Sequence, residues 1–261
     1  MVADLPLAGR TALVTGVSRR RGIGFAIASR LAAMGASLAV HHHTPHDLAE
    51  YGIADDIGGL LEELRRLQPA DPRAMALSGD LAMPAVADEL VAAASDSLGH
   101  LDVLVCNHAH GGDAVSIRDA TAEAYDQHWA VNTRATLLLT QAFAAQHDGR
   151  PGGRVIWMTS GQQLGPMSAN LAYAVSKAAL AGATTSVAAD LVRSGILLNT
   201  VNPGPVNTGY LDAAPEELLS AFPSGRPGEP DDPARLIAWL VSDDGRWVVG
   251  QVLNTEGGFQ R

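Results

Sequence analysis

The residues with the clearest chemical potential are a tyrosine and a lysine four positions apart, Tyr173 and Lys177. They lie in a stretch with helical spacing, and residues four apart on a helix share a face, so the phenol and the ammonium can point into one cleft. A free phenol has a pKa of about 10, too high for efficient proton exchange near neutrality, and a nearby ammonium lowers it. The pair could exchange a proton with a carbonyl or an alcohol, although the bare Tyr-x-x-x-Lys pattern also arises by chance.

A glycine-rich turn near the amino terminus could bind phosphate. A short apolar run ends at Gly16, and Gly22 and Gly24 open an alanine-rich stretch. Glycines let the backbone turn sharply and approach a pyrophosphate closely, and the amino terminus of a helix offers unpaired N–H groups. Residues 19–21 of this turn are three consecutive arginines, which would repel one another without an anion. The alternative is a tight turn with no ligand.

Three histidines, residues 41–43, follow the second apolar run. In dinucleotide-binding folds an acid at this point accepts the 2′-hydroxyl of NAD and repels the 2′-phosphate of NADP. Counting along the chain places His42 there, and no Asp or Glu occupies residues 41–44, which favours NADP(H) over NAD(H). The alternative for the histidines is a solvated strand end. No metal site is predicted, because adjacent histidines on a strand point to opposite faces.

These candidate groups lie at the ends of elements that alternate along the chain. Short runs rich in Val and Leu predict strands, and longer Ala-rich stretches predict helices. The predicted strands cover residues 11–15, 37–41, 73–77, 101–106, 154–159, 196–201 and 251–254, and the predicted helices cover residues 22–34, 55–67, 85–97, 122–147, 172–194 and 233–242. This alternation predicts a Rossmann-type α/β fold, a doubly wound parallel sheet of about seven strands with helices on both faces.

The elements are predicted to form one dinucleotide-binding and catalytic domain over residues 1–261. A stretch rich in Pro and Gly, residues 202–232, follows the sixth strand and breaks the alternation. Ligands of open α/β sheets bind outside the carboxyl ends of the strands, so this stretch is predicted to contact the substrate.

The motifs, in their order, resemble the short-chain dehydrogenase/reductase family, including its bacterial 3-oxoacyl-acyl carrier protein reductases. The first turn resembles the family's Thr-Gly-x-x-x-Gly-x-Gly signature, with five residues instead of three between Gly16 and Gly22. Ser160 lies thirteen residues before Tyr173, as in the family, and Asn132 lies in a segment like that of the family's catalytic asparagine. The resemblance implies a catalytic tetrad of Asn132, Ser160, Tyr173 and Lys177.

The resemblance also implies roles for these groups. The serine would hold the carbonyl, the asparagine would hold a water that links the lysine to solvent, and the lysine would also hold the nicotinamide ribose. His108 replaces a family alanine beside the cleft and either touches substrate or is an ordinary loop histidine. The residues assigned to NADP(H) by the resemblance and the counting are Gly16, Ser18, Arg21, Gly22, Ile23, Gly24, His42, Asp80, Leu81, Asn107, Ala109, Tyr173, Lys177, Pro203, Val206 and Thr208.

The composition narrows the classes of partner. The formal net charge is −10, and an acidic surface repels phosphate backbones and anionic lipids, so neither nucleic acid nor a membrane is expected. Cys106 is the single cysteine, which excludes an internal disulfide and fits a reducing cytoplasm. The residues at the start of the chain do not resemble a signal peptide.

The function predicted from these observations is NADP(H)-dependent hydride transfer between nicotinamide and a ketone or secondary alcohol, with a 3-oxoacyl thioester or a secondary-metabolite ketone as candidate substrates. An epimerase or dehydratase on the same fold, or a regulatory NADP-binding protein, is the alternative. The helices over 122–147 and 172–194 carry small or apolar residues on more than one face, which predicts a homodimer or homotetramer. The alternative is that the alanines serve only helix propensity.

Overall fold

A computed structural model describes residues 5–71, 73–111, 115–212 and 219–260. Residues 213–218 of the predicted substrate loop therefore lie outside the described residues. The described strands form a seven-stranded sheet in the order β3-β2-β1-β4-β5-β6-β7, and all neighbouring strands are parallel. The strands are β1 Thr11–Val14, β2 Ser37–His42, β3 Ala74–Ser78, β4 Val103–Cys106, β5 Gly153–Met158, β6 Ile196–Asn202 and β7 Val252–Asn254. This is the predicted doubly wound α/β architecture.

Helices connect these strands and cover both faces of the sheet. They are α1 Ile23–Ala33, α2 Thr44–Tyr51, α3 Ile57–Leu67, α4 Pro84–Leu98, α5 Ala122–His128, α6 Ala135–Gln146, α7 Leu171–Leu191 and α8 Asp231–Val241, with a π-helical turn, Trp129–Arg134, between α5 and α6. None of the described helices is long and apolar enough to cross a membrane.

Two hydrophobic clusters, one on each face, hold the helices on the sheet. Strand β1 contributes to both clusters, because Val14 packs on one side and Leu13 on the other. Leu31 of α1 lies in the first cluster and Phe143 of α6 in the second, and all of these side chains are fully buried. Burial of each large apolar side chain contributes about 1.5–3 kcal/mol to stability. The two clusters therefore hold the strands and helices that carry the site residues in fixed positions.

The crevice for a ligand follows from the strand order. The chain moves from β1 outward to β3 and then returns to β4 on the other side of β1, which makes a switch point between β1 and β4. Parallel pairing places Val14 beside Val40 of β2 and Val105 of β4, so the three carboxyl ends meet at one edge of the sheet. Ligands of doubly wound sheets bind at this point.

Two elements differ from the prediction. Helix α2 was not predicted, because its Thr44-Pro45 start reads as a turn, although proline is well accommodated in the first turn of a helix. The predicted single helix over 122–147 is interrupted by the π-helical turn, which contains Asn132. π-helical turns are frequent at functional sites, and hydrophobic periodicity does not reveal them.

Candidate active site

The glycine-rich turn packs so tightly that side chains are excluded from it. Gly16 has a φ of +70°, and a Cβ there would lie 2.9 Å from the Cα of His108. A Cβ on Gly24 would clash with the carbonyl oxygen of Gly16. Helix α1 begins after Gly22, and neither a side-chain cap nor an acidic residue satisfies its first turn. The turn therefore offers helix N–H groups and close backbone approach, which fit a dinucleotide pyrophosphate.

A cavity of about 540 Å³ opens beside this turn. That volume lies within the usual range for small-molecule sites. Many of the predicted cofactor residues line it: Gly16, Ser18, Gly22, Ile23, Asp80, Leu81, Asn107, Ala109 and Thr208. They come from the ends of β1, β3 and β4 and from the loop after β6, so segments far apart in sequence meet at this edge.

Other predicted cofactor residues lie elsewhere. Gly24 packs under the turn as described, and His42 has Nδ1 3.3 Å from the Thr44 hydroxyl, while its neighbours His41 and His43 line the cavity. Val206 is buried and pairs with Gly228. Pro203 lines a second cavity of about 270 Å³ beside the carboxyl ends of β6 and β7.

His41 is buried, so it is not part of a solvated strand end. Its Nδ1 lies 3.4 Å from the backbone nitrogen of Gly16, and its Nε2 lies 3.0 Å from the carbonyl oxygen of Gly79. Burial lowers the pKa of His41 to about 4. The neutral ring therefore ties the glycine turn to the end of β3.

The three arginines of the turn have different partners. Arg21 makes a bidentate ion pair with Asp212 of the loop after β6, with N···O distances of 2.6 and 2.7 Å. Arg20 binds Glu63 of α3 through Nε at 2.7 Å. Arg19 lines the cavity, donates a hydrogen bond to the carbonyl of Thr208, and has no carboxylate partner within ion-pair distance among the described residues. Among the described residues of the turn, Arg19 lines the cavity, whereas Arg21, which the sequence assigned to the cofactor, is paired with Asp212.

The guanidinium of Arg19 also stacks on an aromatic ring. Its central carbon lies 3.5 Å from the ring centroid of Tyr51, the last residue of α2. This contact orients the side chain through a cation–π interaction. Tyr51 was missed in the sequence because α2, which carries it to the cavity, was not predicted.

Tyr173 and Lys177 lie on α7 and meet the end of β5. The ammonium nitrogen of Lys177 donates a hydrogen bond to the carbonyl of Met158 at 3.0 Å and lies 5.7 Å from the ring centroid of Tyr173. Ser160, two residues after Met158, lies near enough to the Tyr173 phenol to favour its ionised form. Three of the four tetrad residues are thus brought together at one strand end.

Burial dominates the proton affinities of this pair. It raises the pKa of Tyr173 to about 12, and the nearby Ser160 hydroxyl opposes the rise. It lowers the pKa of Lys177 to about 8. The lowering of the phenol pKa that the sequence led us to expect is therefore outweighed in this state, because the loss of hydration disfavours both charged forms.

Asn132, the fourth tetrad residue, is fully buried in the π-helical turn. Its amide nitrogen donates to the carbonyl of His110 at 3.1 Å and to the hydroxyl of Ser176 at 2.9 Å, and its amide oxygen accepts from the His110 backbone nitrogen at 2.7 Å. The Ser176 hydroxyl in turn donates to the carbonyl of Tyr173. Asn132 thereby fastens the loop after β4 to the helix that carries the tyrosine.

His108 has protein partners for both ring nitrogens. Nδ1 lies 2.7 Å from the Thr15 hydroxyl, and Nε2 lies 3.0 Å from the carbonyl oxygen of Val131. A carbonyl only accepts, so Nε2 carries the proton and Nδ1 accepts from Thr15. Burial holds the pKa of His108 well below its ordinary value. Although it lines the cavity, this ring serves to join β1 to the π-helical turn.

One group of residues in the described part of the chain has the spacing of metal ligands: His100, His147 and Asp148. His100 Nε2 lies 3.1 Å from His147 Nδ1, and Asp148 forms a salt bridge with Arg150. These side chains thus have hydrogen-bond or ion-pair partners within the protein, and they lie at the amino-terminal side of β4, away from the cavity.

Comparison with known proteins agrees with this geometry along nearly the whole chain. A family model described as Enoyl-(Acyl carrier protein) reductase matches residues 16–260. The uncharacterized oxidoreductase YjdA of Bacillus subtilis is 36% identical over 255 residues, which make up 97% of each chain. The chain belongs to the short-chain dehydrogenase/reductase family.

Other relatives of this family agree in sequence and in structure. The NADPH-dependent aldehyde reductase-like protein of Arabidopsis thaliana is 33% identical over 98% of this chain and 96% of its own. A solved short-chain dehydrogenase/reductase from Serratia marcescens superposes with a TM-score of 0.84 at 31% identity, over 98% of this chain and all of its own. One from Burkholderia cenocepacia, in complex with NADP, gives a TM-score of 0.83 at 34% identity, over 97% and 98% of the two chains. The protein is thus an oxidoreductase of this family.

Proposed function

We propose that this short-chain dehydrogenase/reductase uses NADP(H) to interconvert a ketone and a secondary alcohol. The observation that carries the proposal is the meeting of Tyr173, Ser160 and Lys177 at the end of β5, on the edge of the sheet where the glycine turn opens the cavity. A phenol, a hydroxyl and an ammonium at this edge are the groups needed to bind and protonate a carbonyl oxygen.

In the proposed reduction, Tyr173 gives the proton and Ser160 helps to hold the carbonyl oxygen. A bound nicotinamide would supply the hydride. Lys177 acts beside the phenol and, following the family, also on the nicotinamide ribose. Asn132 keeps the loop after β4 against α7, so that the tyrosine is presented at a fixed position. The same groups in reverse take a proton from an alcohol.

The preference for NADP(H) is proposed on charge. Arg19 faces the cavity with its guanidinium held on Tyr51, and it could meet a 2′-phosphate there. No acid occupies residues 41–44, where one would bind the 2′-hydroxyl of NAD. The relatives whose descriptions mention NADP or NADPH, from Burkholderia cenocepacia and Arabidopsis thaliana, support the same choice.

We further propose that the enzyme works in the cytoplasm as a homodimer or homotetramer on a small carbonyl or alcohol substrate, with neither nucleic acid nor membrane as partner. The acidic charge and the apolar helix faces support this proposal.

The activity is tested by mixing the purified protein with NADPH and a panel of ketones and following NADPH absorbance. We expect NADPH to be consumed only when a ketone is present, with one alcohol formed per NADPH. Tight NADPH binding without consumption across aliphatic, cyclic and aromatic ketones would overturn the proposal and favour a regulatory NADP-binding protein.

A further inference from the structure

His128 is a buried histidine beside Tyr173 that the mechanism above does not use. It is the last residue of α5, and its side chain is only 1% exposed. Its Nδ1 lies 2.8 Å from the carbonyl oxygen of Ala124. Because a carbonyl only accepts, Nδ1 is the donor, and in the corresponding imidazole tautomer Nε2 presents a lone pair.

This lone pair has no hydrogen-bond partner in the described part of the chain, although Nε2 is fully buried. Burial of an unpaired polar atom destabilises a protein, and such atoms in native structures call for an explanation. The rings around His128 belong to the site. The His110 ring centroid lies 4.6 Å away and that of Tyr173 lies 6.4 Å away, both edge to face.

His110 separates His128 from the cavity. It lines the cavity, and its backbone is clamped to Asn132 by two hydrogen bonds. A change of its side-chain rotamer, of the kind that is common when ligands bind, would break its ring contacts with His46 and His128 and open Nε2 to the cavity while the backbone stays clamped. An acceptor would then face the cavity from a ring whose centroid lies 6.4 Å from that of Tyr173.

We propose that His128 Nε2 accepts a hydrogen bond from a hydroxyl group that the substrate carries close to its carbonyl, so that the preferred substrates are hydroxyketones. This inference rests on the proposed ketone reduction. With the carbonyl oxygen held by Tyr173 and Ser160, a hydroxyl on an adjacent carbon would be the substrate donor nearest to His128, whose ring centroid lies 6.4 Å from that of Tyr173.

The chemistry of the neighbours favours a hydroxyl over other substituents. A carboxylate or a second ketone only accepts hydrogen bonds and cannot pair with a lone pair. A substrate ammonium could donate, but Lys177 lies 5.7 Å from the Tyr173 ring centroid, and its charged form would repel a second cation. A neutral hydroxyl can donate to the lone pair and carries no charge for Lys177 to repel.

Three small ketones separate the hydrogen bond from intrinsic reactivity. Hydroxyacetone carries the donor, methoxyacetone keeps the electron-withdrawing oxygen without the donor, and butanone replaces the hydroxyl by a methyl group of similar size. The readout is the ratio of kcat/KM for hydroxyacetone to that for methoxyacetone. We expect His128→Leu to lower this ratio about tenfold, the usual size of one lost neutral hydrogen bond, mainly through KM for hydroxyacetone.

Two further variants keep the test specific. His128→Gln retains an acceptor oxygen and should restore part of the ratio, whereas His100→Leu, at the opposite end of the sheet, should leave it unchanged. His128→Leu should keep its NADPH affinity and a melting temperature close to that of the wild type, because removal of the unpaired buried Nε2 offsets the loss of the Nδ1 hydrogen bond to Ala124. The same trio in the cyclohexanone series extends the test to larger substrates.

The outcomes separate the two proposals. If the wild type reduces these ketones and the ratio is the same in His128→Leu, the inference is wrong and the proposed function stands. If neither these ketones nor the aromatic ketones of the broader panel are reduced although NADPH binds, the proposed function fails and the inference fails with it.

Discussion

At the scale of single residues, burial decides which protons the site holds. Tyr173 keeps its proton because its pKa is raised to about 12, and a protonated phenol is the form that a carbonyl reduction needs at its start. Lys177 is held near the point of losing its proton, with a pKa of about 8. The site is therefore poised to respond to a ligand that changes the local charge.

The buried lysine gives a prediction for stability against pH. Its pKa falls from 10.5 to about 8 on folding, so in that window the unfolded chain binds more protons and this group makes stability rise with pH. Lys177→Met removes the group. We expect the free energy of unfolding of the variant to exceed that of the wild type by up to about 3 kcal/mol below pH 8. This difference should narrow toward about pH 10. Urea unfolding at several pH values measures it, and a difference that does not change with pH would contradict the assignment.

Arg19 gives a prediction for cofactor choice. Charge-assisted hydrogen bonds contribute roughly 1.5–3 kcal/mol, so Arg19→Ala should weaken NADPH binding by about ten- to a hundredfold and NADH binding much less. Arg20→Ala is the matched control, because Arg20 is bound to Glu63 and should affect the two cofactors equally. Fluorescence titration of both cofactors measures this. An equal loss for NADPH and NADH in Arg19→Ala would show that the arginine does not meet the 2′-phosphate.

The sequence predicted a cation beside the cofactor, but it could not predict whether Arg19 or Arg21 would face the cavity. The excess of cations in the turn was visible in the sequence, as was the missing acid near His42. Which arginine faces the cavity depends on Asp212, Glu63 and Tyr51, which come from three other segments. A local motif does not show which ion pairs its residues form with distant segments. The two extra residues of this turn also prevent a position-by-position alignment with the family's signature.

At the scale of elements, strands were easier to predict than the breaks between helices. Predicted and observed strand ends agree to within two residues, because both faces of the sheet are covered and the strands are continuous apolar runs. The π-helical turn at Asn132 and helix α2 were missed. The first is held by a tertiary contact from Asn132 to Ser176 that periodicity does not show, and the second begins with Thr44-Pro45, which reads as a turn.

The packing of the glycine turn against α1 gives a prediction at this scale. A methyl group on Gly24 would meet the carbonyl oxygen of Gly16, and backbone there cannot move without displacing β1. Gly24→Ala should lower the free energy of unfolding by about 1–3 kcal/mol and weaken NADPH binding together with it. Thermal unfolding and cofactor titration measure both. Full stability with normal binding would mean that the turn is looser than described.

At the scale of the whole molecule, α7 exposes a stripe of small and apolar residues. Val175, Ala178, Gly182 and Ala189 lie three to seven residues apart and are all exposed in the single chain. Such a face permits close approach of a second helix, as in the dimer expected from the sequence.

Light scattering tests this expectation. We expect a mass of at least twice 27.1 kDa for the wild type, and a shift toward the monomer in Gly182→Glu. Ala92→Glu, which adds the same charge to the exposed face of α4, should leave the mass unchanged. A monomeric wild type at micromolar concentration would contradict the proposed assembly.

The most direct test of the proposed ketone reduction is the turnover of Tyr173→Phe with NADPH and a ketone that the wild type reduces. This change removes the phenol oxygen and leaves the ring that packs beside Lys177 and His128. We expect the variant to stay folded, to bind NADPH as the wild type does, and to lose at least about a hundredfold in kcat, the usual contribution of a positioned proton donor. Wild-type turnover in Tyr173→Phe would contradict the role of Tyr173 as the proton donor.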